Sequence, residues 1–353
     1  MSFTMSALGW SPSRAAEFEA YAANGLDPAR VAAQHRGAFV VYVEGGERPA
    51  EVAGRLRHAA ATAADLPAVG DWVAVEDRPG AAAATIHAVL ERSTAFSRKA
   101  AGEATAEQVV AANVDLVFVV SAFGEDLNLR RLERFLASGW ESGAQPVIVL
   151  NKSDLAQDLP TVVAEVEAVA FGVPVHVVSC LDAVGLEELA AYPAGGRTVA
   201  LLGSSGVGKS SLLNRLLGWE RQPVQGLRGG GKGRHTTTHR ELVPLPGGGL
   251  VLDTPGMREL GLWNAGAGVE ETFADVAELA ASCRFSDCAH DTEPGCAVRA
   301  AIVEGLLAEE RLESYRKLQR ELRHLELKAD PRARSEARRA RRRFARSLRK
   351  GAY

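Results

Sequence analysis

The segment Thr198–Leu216, TVALLGSSGVGKSSLLNRL, leaves little freedom to the fold around it. Apolar residues lead into Gly203-Ser204-Ser205-Gly206-Val207-Gly208-Lys209-Ser210, a full G-x-x-x-x-G-K-S match, and Ser211 opens an amphipathic helical pattern. Such a loop needs a buried strand before it and a helix N-terminus behind it. Backbone N–H groups can then turn inward around phosphates at the positive end of the helix. Lys209 is expected to reach the β- and γ-phosphates, and the Ser210 hydroxyl to ligate Mg²⁺. The requirement extends to the neighbours. From about Val109 to Leu260 the apolar runs VDLVFVVSAF, PVIVLN, VPVHVVS, RTVALLG and LVLDTPG alternate with helical stretches. That rhythm predicts a parallel sheet covered on both faces.

A phosphate loop alone does not choose a base. VIVLNKSDL, Val147–Leu155, adds a guanine-reading pattern: Asn151, Lys152, Ser153 and Asp154. A carboxylate at Asp154 can accept from guanine N1–H and the 2-amino group together. Adenine has no such donor pair and would leave the carboxylate desolvated and unpaired. Asn151 is expected to read the other edge of the base, with the Lys152 stem over its face. Ser179 and Cys180, in SCLDAVGL, are placed to brace the guanine from another side. Asp253 in LVLDTPG is expected to hold Mg²⁺ through water, and Gly256 to donate its N–H to the γ-phosphate. Between the two lies Gly226–Leu242, GLRGGGKGRHTTTHREL, a loop whose Thr237 or Thr238 could close on Mg²⁺. Where many GTPases place a water-orienting Gln, this chain has Met257. Slow intrinsic hydrolysis is therefore expected, completed by a partner or by His235 in that loop.

The guanine pattern precedes the phosphate loop by about fifty residues, the reverse of the usual order. A parallel sheet tolerates this if the original ends are joined and the chain is opened elsewhere, since termini lie at the surface. The order therefore reads as a circularly permuted nucleotide-binding domain.

At 353 residues the chain is too long for one ordinary core. Residues 1–35 alternate Ala with charges and predict a helical leader. Residues 36–105 hold short β-type runs, AFVVYV, AEVAGRLR, GDWVAVE and TIHAVLE, with EGGERP and DRPG between them. Four or five strands in that space predict a small barrel, of OB type or SH3-like. The nucleotide domain takes 106–265, a helical domain 266–330 and a basic tail 331–353. Pro331–Lys350 carries ten Arg or Lys and one acid, Glu336, while the rest of the chain nets −12. A tail that reverses the sign of its body is either a solvated end or a polyanion contact, and its arginines suit phosphate. No run nears the roughly twenty apolar residues of a membrane span, and the first residues lack a signal-peptide pattern. A cytoplasmic protein is expected.

Of four cysteines, three crowd with a histidine in CRFSDCAHDTEPGC: Cys283, Cys288, His290 and Cys296. Three thiolates and one imidazole make a closed tetrahedral set suited to structural zinc, although the spacing alone also admits reduced core cysteines.

Together PAVGDWV, NKSDL, GSSGVGKSSLLN, GRHTTTH, DTPGMRE and the Cys/His cluster closely resemble the ribosome small-subunit-dependent GTPase A family of bacteria. The resemblance covers nearly the whole chain, apart from the long Arg-rich tail. It implies an N-terminal OB-fold barrel, a central α/β circularly permuted P-loop GTPase domain and a C-terminal mainly helical zinc-binding domain. It further implies GTP or GDP, Mg²⁺ and one structural Zn²⁺ as cofactors, with the zinc on Cys283, Cys288, His290 and Cys296. The implied partners are the small ribosomal subunit and its rRNA, with hydrolysis stimulated by that subunit during its late maturation. No membrane is involved, and the chain is expected to act as a monomer. Two rivals stand beside this reading: a GTP-gated RNA-binding factor in which hydrolysis only resets binding, and a P-loop ATPase or kinase.

Overall fold

Near the N-terminus five strands close into a barrel. The computed structural model describes residues 4–35, 37–99, 107–124, 127–218, 240–253 and 266–329. Helix α1, Pro12–Ala22, starts under the Ser11 cap, whose hydroxyl accepts from Arg14 N at 3.3 Å. It ends before Asn24-Gly25, and Gly25 takes φ +75°. The barrel strands are β1 Asp27–Gln34, β2 Phe39–Val43, β3 Gly46–Val52, β4 Trp72–Glu76 and β5 Ala84–Val89. Strand β1 pairs antiparallel with β2 and β4, β2 with β3, and β5 with β4, while β3 and β5 run parallel and complete the circuit. Ala29, Val31, Val41, Val73, Val75 and Ile86 are buried inside. A closed barrel leaves no free edge.

Two expectations change here. The helical leader does not extend to residue 35, because β1 occupies Asp27–Gln34. Gly25 ends the helical turn, and Pro28 cannot donate to a continued helix but is tolerated at a strand start. AEVAGRLR is only half strand: β3 stops at Val52, and Gly54–Ala59 forms helix α2.

A two-stranded antiparallel ribbon follows, β6 Ala95–Lys99 and β7 Glu107–Ala112. The chain then builds β8 Leu116–Ala122, α3 Leu129–Glu141, β9 Gln145–Asn151, α4 Leu159–Val169, β10 Val175–Val177, α5 Leu186–Ala191, β11 Thr198–Leu202, α6 Lys209–Leu217, β12 Glu241–Pro244 and β13 Leu250–Asp253. The strand order is β10-β9-β8-β11-β13-β12, parallel except for the antiparallel β12. Alternate residues along β8 and β9 divide between the faces. Val117, Val119, Ile148 and Leu150 pack with α3 and α4 residues such as Leu132, Leu136 and Val166. Phe118, Val120, Val147 and Val149 pack with Leu189 of α5 and Leu212, Leu213 and Leu217 of α6. The period of two in an apolar run thus feeds two cores at once.

Barrel and sheet are joined where Ala33 of β1 pairs with Glu241 of β12. Behind that seam Arg30 is 2% exposed. Its guanidinium donates to Thr198 Oγ1 at 2.7 Å, Asn113 O at 2.9 Å, Gly70 O at 3.3 Å and also to Leu8 O. Burial lowers its pKa to about 10, and the four acceptors account for a charged group in so dry a place.

The last unit is helical: α7 Gly266–Thr272, α8 Ala274–Ala281, α9 Ala297–Val303 and α10 Glu309–Ala329. Phe273, Val276, Val298, Leu312 and Leu318 are buried among these helices. The unit rests on α3. Arg311 of α10 meets Glu133 of α3 at 2.7 Å and Asp275 of α8 at 3.0 Å, and its guanidinium lies 4.2 Å from the Phe273 ring centroid. Arg134 reaches Glu321 at 2.8 Å and Arg130 reaches Glu313 at 3.4 Å. Among the described residues no helix is long and apolar enough to cross a membrane.

Candidate nucleotide and metal sites

The phosphate loop leaves β11, whose five residues are all buried, and enters α6 at Lys209. Two of its glycines are dictated by their neighbours. A Cβ on Gly203 would stand 2.2 Å from Val120 O, and one on Gly208 would stand 2.1 Å from Asn151 Nδ2. Gly208 also has φ +99°, a region that side chains resist. Val207 is buried, whereas Ser205 and Gly206 are exposed at the loop's crest. Lys209 Nζ donates to Gly203 O at 2.7 Å and to Ser204 O, so its ammonium stands over the loop it would share with phosphates. Ser210 and Ser211 occupy the first turn of α6, and Asp253 is the last residue of β13, which pairs with β11. A hydroxyl and a carboxylate are a hard-oxygen pair of the kind Mg²⁺ takes.

The guanine loop comes from the end of β9. Lys152 takes φ +62°, and Ser153 N donates to Val178 O at 3.1 Å. Asp154 is exposed, and its Oδ1 accepts from Ser179 Oγ at 2.7 Å. Asn151 behaves differently from its expected part. It is 2% exposed, donates from Nδ2 to Val207 O at 2.9 Å, and accepts at Oδ1 from Cys180 N at 3.2 Å. One side chain thus ties the phosphate loop, the guanine loop and the Ser179-Cys180 turn together. Cys180 is buried, and burial pushes its thiol up to about 11, so it is a packing group and not a nucleophile.

Two arginines of this region escaped the motif reading. Arg215 of α6 donates to Cys180 O at 2.8 Å and Leu181 O at 3.0 Å, bracing the base-side turn from the phosphate helix. Arg131 of α3 donates to Ser204 Oγ at 2.7 Å. In sequence both look like polar positions of amphipathic helices, and nothing local marks them. His235, Thr237, Thr238, Gly256 and Met257 lie outside the described residues, as does the Arg-rich tail.

The Cys/His residues lie between α8 and α9. Donor atoms of Cys283, Cys288, His290 and Cys296 fall within 4.8 Å of one another. His290 Nδ1 is 3.6 Å from Cys283 Sγ and 3.5 Å from Cys296 Sγ, and those two sulfurs are 3.9 Å apart. A tetrahedral zinc with its usual bond lengths sets N–S edges of about 3.6 Å and S–S edges of about 3.8 Å. The donors therefore fit zinc. His290 has φ +59°, and its loop is held from two sides. Arg316 of α10 donates to Ala289 O and His290 O, and the Glu293 carboxylate accepts from the N–H groups of Ala289, Asp291 and Thr292 at 2.8–3.1 Å.

A family model described as RsgA GTPase matches residues 89–263. The chain is 53% identical over 338 residues to the small ribosomal subunit biogenesis GTPase RsgA of Opitutus terrae, covering 93% of this chain and 92% of that one. The protein of the same name from Streptomyces coelicolor is 49% identical, with 95% and 91% covered. Among solved structures, YjeQ from Thermotoga maritima superposes with a TM-score of 0.65 at 30% identity, over 84% of this chain and 98% of that one. YloQ, described as a circularly permuted GTPase, gives a TM-score of 0.61 and shares the fold at 24% identity, over 85% of this chain and 96% of that one.

Proposed function

We propose, because this chain belongs to the RsgA GTPase family, that it is a GTP hydrolase acting in the maturation of the small ribosomal subunit. The observation that carries the reading is the Asn151 tie, which sets a guanine-type loop against a phosphate loop although the chain meets them in permuted order. Asp154, held by Ser179, reads guanine. Gly203–Ser210 wraps the phosphates, and the Lys209 ammonium offsets charge on the β- and γ-phosphates. Ser210, and Asp253 through water, would hold Mg²⁺, which when bound would supply further positive charge against the phosphates. With Met257 in the usual place of a water-orienting Gln, the attacking water is positioned with help from the docked subunit, and His235 is the chain's own candidate. Thr237 or Thr238 is the candidate to close on Mg²⁺ when the γ-phosphate is present.

One structural Zn²⁺ on Cys283, Cys288, His290 and Cys296 holds the helical unit together, since a closed tetrahedral set leaves no position for a reacting water. The barrel, the metal unit and the basic tail contact rRNA, and the chain works as a cytoplasmic monomer. Two experiments test this reading. ATP must fail to displace labelled GDP where GTP succeeds; equal displacement would remove the Asp154 reading. Co-sedimentation with purified small subunits must weaken steeply with salt. Binding to small subunits no stronger than to large ones would remove the partner.

A further inference from the structure

Arg131 is placed oddly for a surface arginine. It lies in the first turn of α3, where Asn128 Oδ1 accepts its backbone N–H at 3.0 Å and so fixes where the side chain starts. A cation near a helix N-terminus opposes the macrodipole. Its neighbour Arg130 has Glu313 to offset that, but among the described residues no carboxylate pairs with Arg131. Instead its guanidinium donates to the Ser204 hydroxyl at 2.7 Å, while the Lys209 ammonium sits on the carbonyl of the same Ser204. Two cations therefore converge on one residue of the phosphate loop, beside the positive ends of α3 and α6. An arginine so placed suits an anion at the loop.

We propose that Arg131 is a phosphate-contacting residue of the GTPase site: with GTP bound, its guanidinium donates to a γ-phosphate oxygen. Arginine suits this because its fork offers several donors, so contact with the phosphate need not end contact with Ser204. The charge is supplied in cis, against the phosphoryl oxygens over which the transition-state charge spreads, and does not depend on a water-orienting side chain. The proposal rests on the GTPase reading and adds a residue to it.

The test uses the full chain with Mg²⁺, and fluorescent GDP displaced by GDP or by GTPγS, in wild type, Arg131→Ala and Arg131→Lys. Loss of a charge-assisted bond to the γ-phosphate should weaken GTPγS by about tenfold or more in Arg131→Ala. GDP, which lacks that phosphate, should shift by no more than about twofold, and Lys should restore part of the loss. Equal weakening of GDP and GTPγS would make Arg131 a tether of the loop and overturn the proposal, as would no change in either. A wild-type chain that bound neither nucleotide would sink the GTPase reading and the proposal with it, whereas the first two outcomes sink the proposal alone.

Discussion

Replacing Arg311 by Met should destabilise the seam between the helical unit and α3 by about 3–5 kcal/mol, the usual cost of stranding one member of a buried ion pair. Arg311 is 4% exposed and Glu133 2%. Arg311 is the group that neutralises Glu133 there, and Glu133 Oε2 already lacks a hydrogen-bond partner. Burial pushes the Glu133 carboxyl above its ordinary range even with Arg311 present, and removing the guanidinium raises it further. The pH dependence follows from that direction. A carboxyl whose folded pKa exceeds its unfolded value holds more protons when folded, so the variant loses stability as pH rises through that interval. The deficit against wild type should therefore be larger at about pH 8 than at about pH 5. Differential scanning calorimetry would read it as a fall of more than about 10 °C in the Tm of that unit, at about 4–8 °C per kcal/mol for its size. Adding Glu133→Leu to Arg311→Met should recover a large part, because two apolar groups no longer strand a charge. A deficit below about 1 kcal/mol, or a double variant no better than Arg311→Met, would refute the reasoning.

Two further outcomes follow from the sites. Asn151→Ala removes the tie between three loops and orphans Val207 O and Cys180 N, so GDP affinity should drop by about tenfold or more in a fluorescence titration. Cys288→Ser, or treatment with a chelator, should release about one zinc per chain in a colorimetric assay and expose the helical unit to protease, while GDP binding stays near wild type.

Which parts were legible follows from where the signal lived. The central sheet announced itself because buried parallel strands read as unbroken apolar runs, and both nucleotide loops carry residue types that few other environments need. Strand β1 was hidden because its Ala-rich, Arg-containing sequence resembles a helix; its register is set by pairing with β2 and with the more distant β4, and by the partners of its own buried Arg30, Thr198 among them. Strand β12, which links sheet and barrel, is four residues long, too short to show a period. The bracing parts of the site were equally silent. Arg131 and Arg215 acquire their roles only when α3 and α6 pack beside loops that the sequence places tens of residues away. Asn151 carried a motif, yet its structural work, joining Val207 to Cys180, depends on two contacts that no local pattern encodes.

The most direct test of the whole account is GTP turnover by the full chain with Mg²⁺, with and without purified small ribosomal subunits. The account predicts slow turnover alone and a rise of at least about tenfold with small subunits, none with large subunits, and none with ATP as substrate. Equal turnover with and without small subunits would contradict it.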